Sequence, residues 1–270
     1  MPPIEDLMKR LLPALTLTLT ALMLTGCAGT APSTDREIKT DSDQTDADRR
    51  AGIRLELAQG YFSRGQFSTA LDELKLALQA KPDMREAVNL RGLIYGAMGD
   101  AQLAEEAFRR ALTVYPNDPD TLHNYGWFMC QQQRWQTADA LFDQALSQST
   151  YRAPARTLLA KGVCEARAGR LLVAEKTLLR AFELDPGNPA IAVNLSDVLF
   201  RNAEYERARF YVKRVNGQPE QVNAQSLWLQ LRIERKLANT GAFDDLSLQL
   251  RRKHPQSPET QLLDAGRFDE

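Results

Sequence analysis

Few side chains in this 270-residue chain could do chemistry. Its two histidines, His123 and His254, lie far apart, so no helical imidazole pair exists for zinc or base catalysis. Its three cysteines, Cys27, Cys130 and Cys164, form no Cys-x-x-Cys pair, the spacing that zinc sites and thioredoxin-type exchange require. There is no nucleophile-elbow pattern and no phosphate-binding glycine loop. Acidic residues are spread along stretches that read as solvated helix faces. A net charge of -1 lacks the basic footprint that nucleic acid needs. Asn194-Leu195-Ser196 matches a glycosylation acceptor but falls inside a helical pattern and is set aside. The expectation is a protein with no enzyme activity, no cofactor, no metal, no small-molecule substrate and no nucleic-acid partner. Only thiol chemistry and surfaces remain.

Cys27 carries the first of these. Lys9 and Arg10 precede an apolar run from Leu11 to Leu24, and Leu24-Thr25-Gly26-Cys27 follows. A charged opening, an apolar run of this size and small residues before a cut make a secretory signal. The run is too short for a membrane-spanning helix, which needs about 20 apolar residues. Glu5 and Asp6 suit a signal poorly, and a start at Met8 rather than Met1 would give Met-Lys-Arg. The Leu-Thr-Gly-Cys order resembles the bacterial lipobox. That resemblance implies a lipoprotein signal peptide over residues 1–26, cleavage before Cys27, and a lipid anchor on Cys27, palmitate included. Several acyl chains anchor stably where one does not. Ala28 after the cysteine resembles the enterobacterial outer-membrane sorting rule. Residues 27–50 are then a lipidated cysteine and a disordered linker with almost nothing to bury. About 24 flexible residues span roughly 25–30 Å.

The elements that position everything else start at Ala51. Ala58, Gly92, Gly126, Gly162 and Ser196 recur in steps of 34, 34, 36 and 34, and Ala70, Ala104, Ala138, Ala174 and Ala208 recur in the same steps. Pro82, Pro116 and Pro186 close three units. This period, with its small residues, aromatics and closing proline, resembles the tetratricopeptide repeat. It implies an all-α, right-handed superhelical solenoid of about six helix pairs over residues 51–270. The repeats are expected at 51–84, 85–118, 119–152, 155–188, 189–222 and 223–256, followed by a C-terminal capping helix. Gly65, Gly99 and Gly169 supply turns, but repeat three has Gln133 there and Thr150 in place of its closing proline. Arg91, where the family usually has leucine, predicts a more solvated spot, and Glu165 takes a usually large apolar place. The sixth pair is expected to turn near Gly241.

First-helix positions spaced four then three apart are expected to face a concave groove. These are Leu55, Gln59 and Phe62, then Asn89, Leu93 and Gly96, then His123, Trp127 and Cys130. The candidate partner-binding residues are Leu55, Gln59, Phe62, Asn89, Leu93 and Trp127, with their apolar members lying outside the helix-pair core. The other arrangement open to them is cover by the linker or the C-terminal segment. Asp120 and Asn124 in repeat three argue against a basic clamp on a terminal carboxylate. Once Cys27 carries lipid, Cys130 and Cys164 are an even pair in an oxidising compartment. They occupy corresponding helices of adjacent repeats, so a disulfide is expected, two buried free thiols being the alternative.

The segment His123-Asn124-Tyr125-Gly126-Trp127-Phe128-Met129-Cys130-Gln131 is more specific than the generic repeat. It resembles the third repeat of the type IV pilus biogenesis lipoproteins, the pilotins. The likeness extends over the mature chain, and a cysteine in the first helix of repeats three and four fits it. It implies a non-enzymatic escort on the periplasmic face of the outer membrane. Such a protein would bind the type IV pilus secretin subunit and promote its localisation and multimerisation. The alternative is a tetratricopeptide lipoprotein scaffold of another envelope machine, in barrel assembly or peptidoglycan-enzyme regulation.

Overall fold

The computed structural model describes residues 45–269. The expected signal peptide, Cys27 and linker residues 28–44 lie outside the described residues. Among those described there are thirteen helices and no strand. Six antiparallel pairs follow one another: α1 (Asp46–Ser63) with α2 (Phe67–Ala80), α3 (Arg85–Ala97) with α4 (Ala101–Val114), and α5 (Pro119–Gln131) with α6 (Trp135–Leu146). Then come α7 (Pro154–Arg167) with α8 (Leu171–Leu184), α9 (Pro189–Arg201) with α10 (Tyr205–Asn216), and α11 (Ala224–Lys236) with α12 (Thr240–Lys253). A short α13 (Pro258–Asp264) packs on α11 and α12 and closes the stack. Each first helix also touches the next first helix, whereas the second helices do not touch one another. The stack therefore curves with its first helices inside, and they form the concave wall.

The rows of small residues have a steric cause. A Cβ built on Gly92 would lie 2.6 Å from the Phe108 ring. On Gly126 it would lie 2.9 Å from Phe142, and on Gly162 2.6 Å from Leu178. The first helices of repeats two, three and four are thus pressed against an apolar side chain of their own second helices, closer than any larger residue permits. Ser196 fits the fifth such place by donating from Oγ to the Ala208 carbonyl at 2.8 Å, which satisfies its buried hydroxyl.

The turns within pairs require the left-handed region. Gly65, Gly99 and Gly169 sit there at φ of 73°, 80° and 79°, at no steric cost. Gln133 (58°), Ala203 (61°) and Ala238 (55°) adopt it too, against their preference. Repeat three keeps the turn despite its missing glycine, because packing of the pair dictates the backbone. The same device corrects the sixth pair. It turns at Ala238, and Asn239 caps α12 by accepting from the Ala242 amide at 3.4 Å, so Gly241 lies inside the helix.

Two further expectations shift. Helix α1 starts at Asp46 rather than Ala51, so residues 46–50 are helix, not linker. Thr45 Oγ1 accepts from the Asp48 amide at 3.1 Å, and the Asp48 carboxylate accepts from the Thr45 amide at 3.2 Å. This capping box satisfies orphan amides at both positions. Lys81 Nζ reaches Asp48 at 2.7 Å, and with Thr45 it holds the carboxyl down to about 2. Glu165, for its part, occupies its usually apolar place fully buried at 1% exposed. Burial pushes its carboxyl above the ordinary range, against a lowering hydrogen bond from Thr177.

Candidate partner-binding groove

The concave wall of the first four repeats gathers one continuous polar strip. Gln59 on α1, Glu86, Asn89 and Leu93 on α3, Asp120, His123 and Asn124 on α5, and Arg156 on α7 line the same depression. Asn124 Nδ2 donates to Asn89 Oδ1 at 3.2 Å, tying α5 to α3. Arg156 Nε donates to His123 Nε2 at 3.2 Å, and its Nη2 lies 3.6 Å from Asp120 Oδ1. Since His123 Nε2 accepts, its Nδ1–H donates to Thr157 Oγ1 at 2.8 Å. Thr157 and Tyr151 then share a hydrogen bond of 2.6 Å. His123 is only 8% exposed. Burial, then the adjacent Arg156 charge, lowers its pKa to about 3. It is a neutral, oriented imidazole at physiological pH and no proton shuttle.

Beside this strip lies an apolar notch lined by Leu93, Gly96, Phe108, Trp127 and Phe128. Leu93 and Asn124 belong to both depressions, so strip and notch are continuous. Trp127 is half-buried, and the Arg167 guanidinium stands 5.1 Å from its ring centroid. That cation covers one face of the indole.

The expected groove residues divide accordingly. Gln59, Asn89, Leu93 and Trp127 line this surface. Leu55 does not. It is 7% exposed and packs with Ala58, Ala70, Leu74, Ala87, Leu90 and Ile94 in the core joining repeats one and two. Phe62 is half-buried and turned against Phe67 at the start of α2, with centroids 5.9 Å apart. Helical spacing places both at the groove, yet α1 is flanked by α2 and α3, and the core takes the larger arc. Cys130 is withdrawn too. It is buried and joined to Cys164 in a disulfide with α-carbons 5.8 Å apart, inside the core of repeats two to four. Arg156 was missed. Its signal was present, since it sits 36 residues after Asp120, the same position one repeat later.

Among the described residues no three His, Cys, Asp or Glu side chains are placed to hold a metal ion. No described helix is long and apolar enough to cross a membrane. The groove can bind, with apolar contact at Leu93 and Trp127 and amide hydrogen bonding along Asn89 and Asn124.

Residues 55–119 and 131–189 match the profile of the tetratricopeptide repeat, and residues 107–140 match a second profile of the same description. The type IV pilus assembly protein PilF of Pseudomonas aeruginosa is 28% identical over 243 residues, covering 90% of this chain and 94% of that protein. The crystal structure of PilW, described as a widely conserved type IV pilus biogenesis factor, superposes with a TM-score of 0.73 at 30% identity. That match covers 79% of this chain and 97% of PilW. The structure of Pseudomonas aeruginosa PilF gives a TM-score of 0.70 at 25% identity, over 83% of this chain and all of the other.

Proposed function

From a chain that belongs to the tetratricopeptide-repeat family and is related to the pilus assembly proteins PilF and PilW, we propose a protein-binding scaffold in type IV pilus biogenesis. In this reading it is a lipoprotein anchored through Cys27 on the periplasmic face of the outer membrane. It escorts the pilus secretin subunit there and promotes its multimerisation. The observation that carries the reading is the likeness to PilW, which extends over nearly the whole of that chain rather than a few repeats. The Leu24-Thr25-Gly26-Cys27 order supports the anchor. The concave strip and notch support a bound segment, with Leu93 and Trp127 as its apolar contacts. A few such anchors carry most of an interface's energy, and truncating one typically costs about 2 kcal/mol or more.

The test uses Leu93→Asn and Trp127→Ala, with thermal melts beside secretin multimer levels in cells. Normal melts with lost multimers are expected. Normal melts with normal multimers would move the binding site away from the groove. Cys27→Ala tests the anchor separately and is expected to leave unprocessed or mislocalised protein. A mutant fractionating with outer membranes at wild-type size and level would remove the lipid from the account. Co-purification with barrel-assembly subunits or murein hydrolases in place of the secretin would favour the other envelope machines.

A further inference from the structure

A second depression lies between repeats one and two and shares no residue with the groove. Leu71, Leu74 and Leu78 of α2 and Tyr95 of α3 give it apolar walls, and Arg91, Lys75, Asp72 and Gln79 give it polar ones. Arg91 is half-buried, and among the described residues no carboxylate is in ion-pair or hydrogen-bonding contact with it. Burial, then the neighbouring Arg110, oppose its charge more than Tyr95 and the more distant Glu106 favour it. An unpaired, partly desolvated guanidinium is an unfavourable thing to keep beside leucines.

The repeats that follow show what this slot ordinarily holds. Arg91 corresponds to Tyr125 in repeat three and Lys161 in repeat four, by the steps of 34 and 36. Tyr125 donates to Glu105 on the preceding second helix at 3.3 Å, and Lys161 pairs with Asp143 on its own preceding second helix. Those two acids correspond to Leu71 and Lys75 in repeat one. The position of Leu71 is also acidic in repeats two, three and four, and each acid is neutralised from the following repeat. Glu105 takes Arg134 at 2.7 Å, Asp139 takes Arg170 at 2.8 Å, and Glu175 takes Arg207 at 2.7 Å. The counterpart of Arg134 and Arg170 in repeat two is Asp100, so that pair is absent from the first junction, where Arg91 meets Leu71 and Lys75 in place of the acids that Tyr125 and Lys161 meet among the described residues. Asp72 lines the slot without pairing to Arg91.

We propose that the slot between α2 and α3 is a second docking site, for a protein segment presenting an acidic side chain flanked by apolar ones. The carboxylate takes the place of the acids that Tyr125 and Lys161 meet in later repeats, and the flanking side chains lie on Leu71, Leu78 and Tyr95. The chain's own later repeats seat a carboxylate at this place from an apolar-backed helix, which is the chemistry the slot fits. This site does not depend on the groove binding anything.

The experiment titrates the ¹⁵N-labelled full chain with acetyl-Leu-Glu-Leu-Leu amide and with its Glu→Gln counterpart. The Arg91 Nε–H and Tyr95 amide signals are followed. The Glu peptide is expected to shift both saturably, and the Gln peptide to bind about tenfold more weakly, since a charge-assisted pair is lost. Arg91→Leu, which places at this position the residue found at Leu57 and Leu195, is expected to fold and to abolish that preference. Arg91→Lys is expected to keep part of it. Leu71→Glu, which supplies the missing acid from within, is expected to block the Glu peptide. Equal binding of the two peptides, binding of neither, or a preference that survives Arg91→Leu would overturn the proposal. So would hexanoate competing as well as the Glu peptide, since a free amphiphile rather than a protein segment would then suffice.

Discussion

The junction between repeats three and four and the junction between repeats one and two are opposites. The former lacks a turn glycine and a closing proline and carries extra residues, yet it is the most heavily tied. It holds the Cys130–Cys164 disulfide, the His123–Thr157–Tyr151 chain and the Asp139–Arg170 pair. The latter keeps its turn glycines and closing proline, yet it puts Arg91 in an open slot with no ion pair among the described residues. Regular sequence thus secures the fold of each helix pair but not the closing of the surface between pairs. Where local signals are missing, cross-repeat bonds replace them. Where they are complete, the inter-repeat surface is free to carry something else.

Breaking the tied junction should have the largest effect. The disulfide closes a loop with a sequence separation of 34, worth about 3–4 kcal/mol in the chain-entropy account. Cys164→Ala should lower urea-unfolding stability by that order, measured against wild type without reductant. A change under about 1 kcal/mol would mean that the bond does not brace the stack.

Acid should act next, and at the same junction. His123 has a folded pKa of about 3 against an ordinary 6.5, so below pH 6.5 the unfolded chain binds the extra proton. Its contribution is fully present above pH 6.5 and is lost as pH falls toward 3. The loss is about 1.4 kcal/mol per unit, hence about 2 kcal/mol by pH 5. Glu165 works in the opposite sense. Its raised folded pKa makes the native state bind the proton first, adding stability as pH falls through that value. The measurement is therefore the stability difference between wild type and His123→Gln across pH. Gln can accept from Arg156 and donate to Thr157 but does not titrate. A difference independent of pH would show that His123 is not held neutral.

Smaller again is the strain at the turns. Gln133→Gly and Ala203→Gly should each raise stability by roughly 0.5–1 kcal/mol, because both positions hold a left-handed φ. Gly99→Ala should cost about as much. Equal responses at all three positions would mean that the turns relax when substituted.

The smallest effect sharpens the first junction. Leu71→Glu gives Arg91 an acid at the cost of a half-buried leucine, so stability should stay within about 0.5 kcal/mol of wild type. Arg91→Leu should melt at or above wild type. A loss of more than about 1 kcal/mol in Arg91→Leu would show that the guanidinium already has a stabilising role within the chain.

The sequence by itself determined the helix pairs, because their causes are local or strictly periodic. Gly92, Gly126 and Gly162 recur where a Cβ would strike Phe108, Phe142 or Leu178, and that need repeats through units two, three and four. The caps at Asp118, Asn188 and Ser257, each before a first-turn proline, are also written within a few residues. Thr45 carries the same kind of signal, and α1 begins with it rather than at the start of the repeat period. Tertiary structure alone decided which way a side chain on the curved wall points. Leu55 and Leu93 share a helical pattern, but Leu55 is enclosed by α2 and α3 while Leu93 stays at the groove. Likewise Arg156 reaches His123 and Asp120, while Arg91 makes no ion pair among the described residues. These outcomes depend on residues a full repeat away, whose distances are set by how neighbouring pairs stack. A helical period specifies the face of one helix, whereas burial and charge pairing on that face belong to the neighbours brought against it.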